Sequence, residues 1–302
     1  MPAPVRTALV ALATLTLMAP GIATTSADPG TSTHVDSVAA GVSGSVVSVT
    51  GSATFVDVPV TLATDPSGDS SLPAGLGTDL VSASIARPDP TKSQLTFTLG
   101  IGDPHATLFT IPEVVHYSYF FAVGEQGWLL LAARNAAANA ASGGQPSGPM
   151  FRLDRFNADG TCCAIVGQVP GTMADGKVTF TTTFGQLGLT PGSIVQAHPV
   201  GTRAIQVQLG ASGASRQNNA QPDFMYIDEN TYTVPSATVQ VGIAPAGTPE
   251  DAVPLQAAAA VTVSTGAFSG ALASPGPGSY VVVAKACYGP DNCGLSSAAL
   301  TI

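Results

Sequence analysis

A chain of 302 residues has room for about two domains. Hydrophobic residues make up 45% and charged residues only 10%, with 10 basic against 19 acidic side chains and a net charge of −9. A nucleic-acid binder needs a basic stripe, and a solvated helical bundle needs Glu and Lys on its outer faces, so both classes are excluded. The 33 Gly and 24 Pro point instead to turns joining strands.

Residues 1–27 read as a secretory signal peptide. Arg6 supplies the positive start, Thr7 to Met18 the apolar stretch, and Pro20-Gly21 the break. Thr25 and Ala27 occupy the −3 and −1 positions of one cleavage site, Gly21 and Ala23 those of another. The apolar run is shorter than the ~20 residues of a spanning helix, which argues for cleavage and secretion over anchoring. No later stretch qualifies as a membrane span.

Residues 28–45 are small and polar and are expected to be a flexible leader. Period-2 patterns, the mark of strands, then begin. Val56, Val58, Val60 and Leu62 alternate with Asp57, Pro59 and Thr61, the proline favouring an edge strand. Similar alternation runs through Val81–Ile85, Leu95–Leu99, Val115–Phe121, Val178–Phe184 and Ile205–Leu209. Trp128 to Leu131 is apolar throughout, as in a strand covered on both faces. Ala132–Ala141 and Gly210–Gln221, rich in small residues, read as loops. After Val234-Pro235 the strands shorten and aromatics become scarce. The fold class is therefore all-β: an antiparallel jelly-roll-like sandwich over 46–234 and a small Ig-like sandwich over 235–302.

In an exported chain four cysteines suit disulfides. Cys287 and Cys293 enclose the turn-rich Tyr288-Gly289-Pro290-Asp291-Asn292, and a bond between them is worth about 2.4 kcal/mol on the chain-entropy estimate. Cys162 and Cys163 are adjacent and either close a vicinal disulfide or serve as an inert staple or unpaired thiols. Neither pair is a Cys-x-x-Cys, so a thioredoxin-like activity lacks its motif.

Three segments carry a resemblance. Thr64-Asp65-Pro66-Ser67-Gly68-Asp69, then Thr78 to Ile85, then Leu95 to Leu99 resemble the opening of exported bacterial DOMON-like β-sandwiches, which are similar to family 9 carbohydrate-binding modules. Tyr117 to Phe121 and Phe184 to Gly192 fit the same layout, so the likeness spans roughly 46–234. It implies a sandwich that binds sugar, haem or calcium. The sugar-binding members use paired exposed tryptophans, whereas this chain has one Trp; the histidines and Met150, Met173 and Met225 match no haem motif. The C-terminal unit, with Pro277 to Ala284 and its cysteine-closed loop, resembles bacterial Ig-like repeats.

Asp65, Asp69 and Asp79 flank turns before a strand, where carboxylates and carbonyls can supply the six to eight oxygens of Ca²⁺. The alternative is ordinary turn capping by Asp. In Phe151 to Phe156, Arg152 and Asp154 project to one side of a strand, as a ligand-facing patch or a surface ion pair worth under ~1 kcal/mol. His34, His105, His116 and His198 show no metal spacing, and there is no Gly-x-Ser-x-Gly elbow. The expected function is that of a secreted, non-catalytic binding or cell-envelope interaction protein. Its ligand, a glycan or other envelope component, would lie near Tyr117, Tyr119, Trp128, Arg152 and Asp154, with Ca²⁺ as a structural ion. The alternatives are an extracellular hydrolase or redox accessory domain, and a structural spacer without ligand.

Overall fold

The computed structural model describes residues 24–25, 32–69, 79–102, 113–135, 150–157, 161–210, 213–225, 230–258, 260–289 and 291–302. Of the expected signal peptide, only Thr24–Thr25 falls within them, as the short strand β1. The rest of 1–27, His105 and the Ala-rich segment beyond Asn135 lie outside the described residues.

The chain is all-β and builds two sandwiches. It opens with β2 (His34–Ser43) and β3 (Val46–Thr54). Then follow β4 (Val60–Thr64), β5 (Leu80–Ala86), β6 (Gln94–Ile101), β7 (Glu113–Val123), β8 (Gln126–Asn135) and β9 (Met150–Arg155). Next come β10 (Ala164–Gln168), β11 (Gly171–Ala174), β12 (Lys177–Thr183), β13 (Ile194–Gly210), β14 (Gly213–Met225) and β15 (Thr231–Thr233). The last six are β16 (Ala237–Pro245), β17 (Leu255–Ala257), β18 (Ala260–Thr262), β19 (Ala267–Ala273), β20 (Ser279–Tyr288) and β21 (Cys293–Thr301).

The larger sandwich stacks a five-stranded sheet, β11-β12-β6-β5-β4, on a seven-stranded one, β10-β9-β8-β7-β13-β14, with β15 also pairing β13. All its pairings are antiparallel, and β12 returns beside β6 while β13 returns beside β7, so the order is not a simple meander. Alternation explains the faces. Leu95, Phe97 and Leu99 point inward with no exposure, while Thr96 and Thr98 lie opposite Thr181 and Thr179 on the outer side. Phe97 packs edge-on against Tyr119 at 5.3 Å and tilted against Phe121 at 4.6 Å, so the core is aromatic where the two sheets meet. β4 is an edge strand, as its proline-bearing approach suggests, but it begins at Val60 rather than Val56. After β12, a single helical turn, α1 (Phe184–Leu187), is held by a Thr183–Gln186 capping box and ends on Gly188 at φ 68°. The segment Gly210–Gln221, expected to be a loop, is in its greater part strand β14; the β13 ladder overrides its small, polar composition.

The smaller sandwich corrects the expected leader. β2 and β3 pair with each other across a two-residue Gly44-Ser45 turn, Gly44 at φ 61°, and β3 pairs with β19. The resulting sheet β18-β19-β3-β2 covers β1-β21-β20-β16-β17. Val35, Val47 and Val49 join Val241, Val282, Ala284 and Phe268 in one core. The C-terminal strands alone leave that apolar face uncovered, and the N-terminal hairpin closes it. The larger sandwich is thus inserted between β3 and β16.

Arg87, just past β5, fastens the two bodies. Its Nη1 donates to Pro235 O (2.8 Å), its Nη2 to Pro90 O (2.7 Å) and its Nε to Lys92 O (3.3 Å). The guanidinium lies 5.0 Å from the Phe184 ring and 5.8 Å from the Tyr288 ring, and its backbone N–H donates to Asp57. Cys287 and Cys293 are bonded, and the loop they close sets Asn292 to accept from Thr33 N (3.0 Å) and to donate to Val56 O.

Candidate ligand and cation sites

One end of the seven-stranded sheet carries an open cleft of about 530 Å³. Phe120, Phe156 and Phe224 give it an apolar wall and Glu125, Gln126, Asn157 and His198 a polar rim, while Phe121 and Trp128, opposite each other in the β7–β8 ladder and part of the core, close its floor. Local structure brings these together from four strands. The β7–β8 turn, with Gly124 at φ 58°, places Glu125 and Gln126. Between the pairs Phe121↔Ala197 and Tyr119↔Val200, β13 has one more residue than β7, and this bulge puts His198 on the surface. Phe156 lies against Gly127, where an added Cβ would stand 3.2 Å from its ring, so the glycine lets the aromatic ring settle on the strand. Phe120 and Phe156 are 6.1 Å apart at 46°.

The expected ligand residues divide. Trp128 borders the cleft, but it is 6% exposed and belongs to the core, opposite the fully buried Phe121. Tyr117 and Tyr119, 3% and 0% exposed, point into the core on the other face of β7, so they are not ligand-facing. Period 2 groups them correctly but does not tell which face is inward. Burial raises the Tyr119 hydroxyl far above its ordinary pKa. Arg152 and Asp154 do share one side: Nε and Nη2 of Arg152 donate to Oδ2 of Asp154 at 3.1 and 2.7 Å. The carboxylate is only 2% exposed, so this is a largely buried pair, and neither residue lines the cleft. Cys162 and Cys163 are bonded to each other directly before β10.

At the edge between the two sheets, carboxylate oxygens of Asp65, Asp69 and Asp223 lie within 4.8 Å of one another. Oxygens on opposite sides of a Ca²⁺ ion stand about 4.8 Å apart at its usual ~2.4 Å bond length, so the group matches its size. Asp79, expected among the ligands, instead holds their loop: it accepts from Gly68 N (2.9 Å) and Ser67 Oγ (3.1 Å). Gly102 leaves room for it, since an added Cβ would meet its Oδ2 at 2.3 Å. Asp223 belongs to β14 yet accepts from Leu80 N on β5 in the opposite sheet, and from Phe224 N at 2.7 Å. Burial, then repulsion from neighbouring carboxylates, raises the carboxyl pKa of both Asp65 and Asp223. Nothing in the sequence marks Asp223; only the β13–β14 ladder and the stacking of the sheets bring it to the turn at Asp65–Asp69.

Glu125 is the single carboxylate lining the cleft among the described residues. Among the described residues no helix is long and apolar enough to cross a membrane. The chain matches no family model, no curated protein and no solved structure.

Proposed function

We propose that the chain is a secreted, non-catalytic binding module of DOMON-like descent, with its ligand held in the cleft at Phe120, Phe156 and Phe224. The single observation that carries this reading is the cleft itself: it has the size of small-molecule sites, aromatic walls and a polar rim. Two disulfides suit an oxidising, extracellular setting, as does the signal-like start. The ligand is a glycan or another component of the cell envelope. Ca²⁺ at Asp65, Asp69 and Asp223 would act structurally, joining a loop of one sheet to a strand of the other.

The test is a titration of residues 28–302 with cell-envelope glycans and their substituents, with Phe156→Ala as the cleft variant. Removing one stacking ring should weaken binding about tenfold. Binding unaltered by both Phe156→Ala and Phe224→Ala would place the ligand elsewhere, and turnover of the ligand during titration would favour the hydrolase alternative.

A further inference from the structure

We infer that the Cys162–Cys163 bond is a thiol-exchange site, opened and reclosed by low-molecular-weight thiols while the protein stays folded. The site stands apart from the cleft and does not depend on what the cleft binds.

The bond has almost no structural role. Cys162 and Cys163 are neighbours in the chain, so their bond brackets no residue. A disulfide that stabilises by restricting the unfolded chain does so in proportion to the loop it closes, and here there is no loop. Cys287 and Cys293, with a sequence separation of 6, do close one.

Access separates the two pairs in the same sense. Exchange starts when a thiolate reaches a sulfur, so its rate follows exposure. Cys162 is exposed and Cys163 half-buried, directly before β10. Cys287 and Cys293 are both half-buried and face each other across the β20–β21 ladder, beside the loop whose Asn292 is bonded to Thr33 and Val56.

The surroundings of Cys162–Cys163 tolerate its opening. β10 is an edge strand that pairs with β9 alone, and none of its residues is buried; Ile165 is 66% exposed. A backbone adjustment at its start therefore leaves the core in place. On the other side, Asn157 N donates to Thr161 O and Asn157 Nδ2 to Thr161 Oγ1, both at 3.0 Å. Neither hydrogen bond involves sulfur, so the approach to the pair is held in both redox states.

The exchange is a two-electron step. An external thiolate attacks Cys162 Sγ; the S–S bond breaks, a mixed disulfide forms at Cys162, and Cys163 leaves as a thiolate that takes a proton from water. A second external thiolate attacks the external sulfur of the mixed disulfide. This forms the external disulfide and frees Cys162, which is protonated in turn. Two external thiols are thereby oxidised and the two cysteines reduced, and an external disulfide drives the reverse. Cys163 stays beside Cys162, so it attacks any mixed disulfide there intramolecularly and adducts do not accumulate.

Trypsin separates the two pairs: 156–177 carries Cys162 and Cys163, and 286–302 carries Cys287 and Cys293. The experiment exposes the folded protein to dithiothreitol at neutral pH, quenches with iodoacetamide and follows both peptides by mass. Peptide 156–177 should take up two alkyl groups about tenfold or more faster than 286–302, with the near-ultraviolet circular dichroism unchanged. Oxidised dithiothreitol in excess should then remove the alkylatable thiols. Replacing both residues, Cys162→Ser with Cys163→Ser, should move the melting temperature by less than about 2 °C. Equal rates for the two peptides, no label on 156–177 without denaturant, or loss of the dichroism as 156–177 takes up label would overturn the assignment. So would label on 156–177 before any reductant is added, or failure of the double variant to fold.

Discussion

Asp223 gives the clearest pH signature at the level of single residues. Its folded pKa is raised from 3.8, first by burial and then by Asp69 and Asp79, and that of Asp65 is raised by the same kinds of cause. A carboxyl raised on folding binds its proton more tightly in the folded chain. Its stabilising contribution is therefore complete below the ordinary value and is lost as pH rises through the raised one. In chelator, the melting temperature should fall as pH rises from about 4 to 7, and Asp223→Asn should flatten that slope. Millimolar Ca²⁺ should restore the wild-type melting temperature at neutral pH and leave the Asp223→Asn variant nearly unmoved; an equal response of both to Ca²⁺ would count against the site. Asp65 and Asp69 could be read from the sequence because Asp in a Gly-containing turn is a local signal. Asp223 could not, since its role depends on a ladder and a sheet-to-sheet contact far away in the chain.

Among the elements, the β2–β3 hairpin shows what periodicity can and cannot say. Val35, Val47 and Val49 are visible as apolar positions, but their partners Phe268 and Val282 lie beyond an entire inserted sandwich. Local pattern fixes which residues of a strand face the same way; pairing between distant strands is set by which uncovered apolar face remains. For the same reason Tyr117 and Tyr119 were legible as a pair but not as core residues. Val49 is fully buried, so Val49→Ala should cost about 2 kcal/mol, measured by denaturant unfolding of the smaller sandwich. Residues 235–302 expressed alone should show exposed-core behaviour by dye binding, and adding back 32–56 in the same chain should remove it.

For the whole molecule, the decisive group is Arg87. Three carbonyls and two ring faces receive one planar guanidinium that is 8% exposed. Arg87→Ala should uncouple the two sandwiches, so that one calorimetric transition becomes two. Arg87→Lys should not rescue the coupling, because an ammonium cannot span the same set of acceptors. A single unchanged transition in Arg87→Ala would show that the joint is held by other contacts. The all-β class and two-sandwich plan were legible from alternation and turn residues, whereas the insertion was not, because no local feature announces that a chain will return to an earlier layer.

That insertion has a mechanical consequence. The outgoing crossing at Asp57 and the returning one at Pro235 both meet at Arg87. Tension applied between β2 and β21 is borne by the smaller sandwich, while the cleft-bearing body hangs from its two neighbouring attachment points outside the line of force. A protein arranged in this way can be stretched between two anchorages while its inserted body stays undistorted.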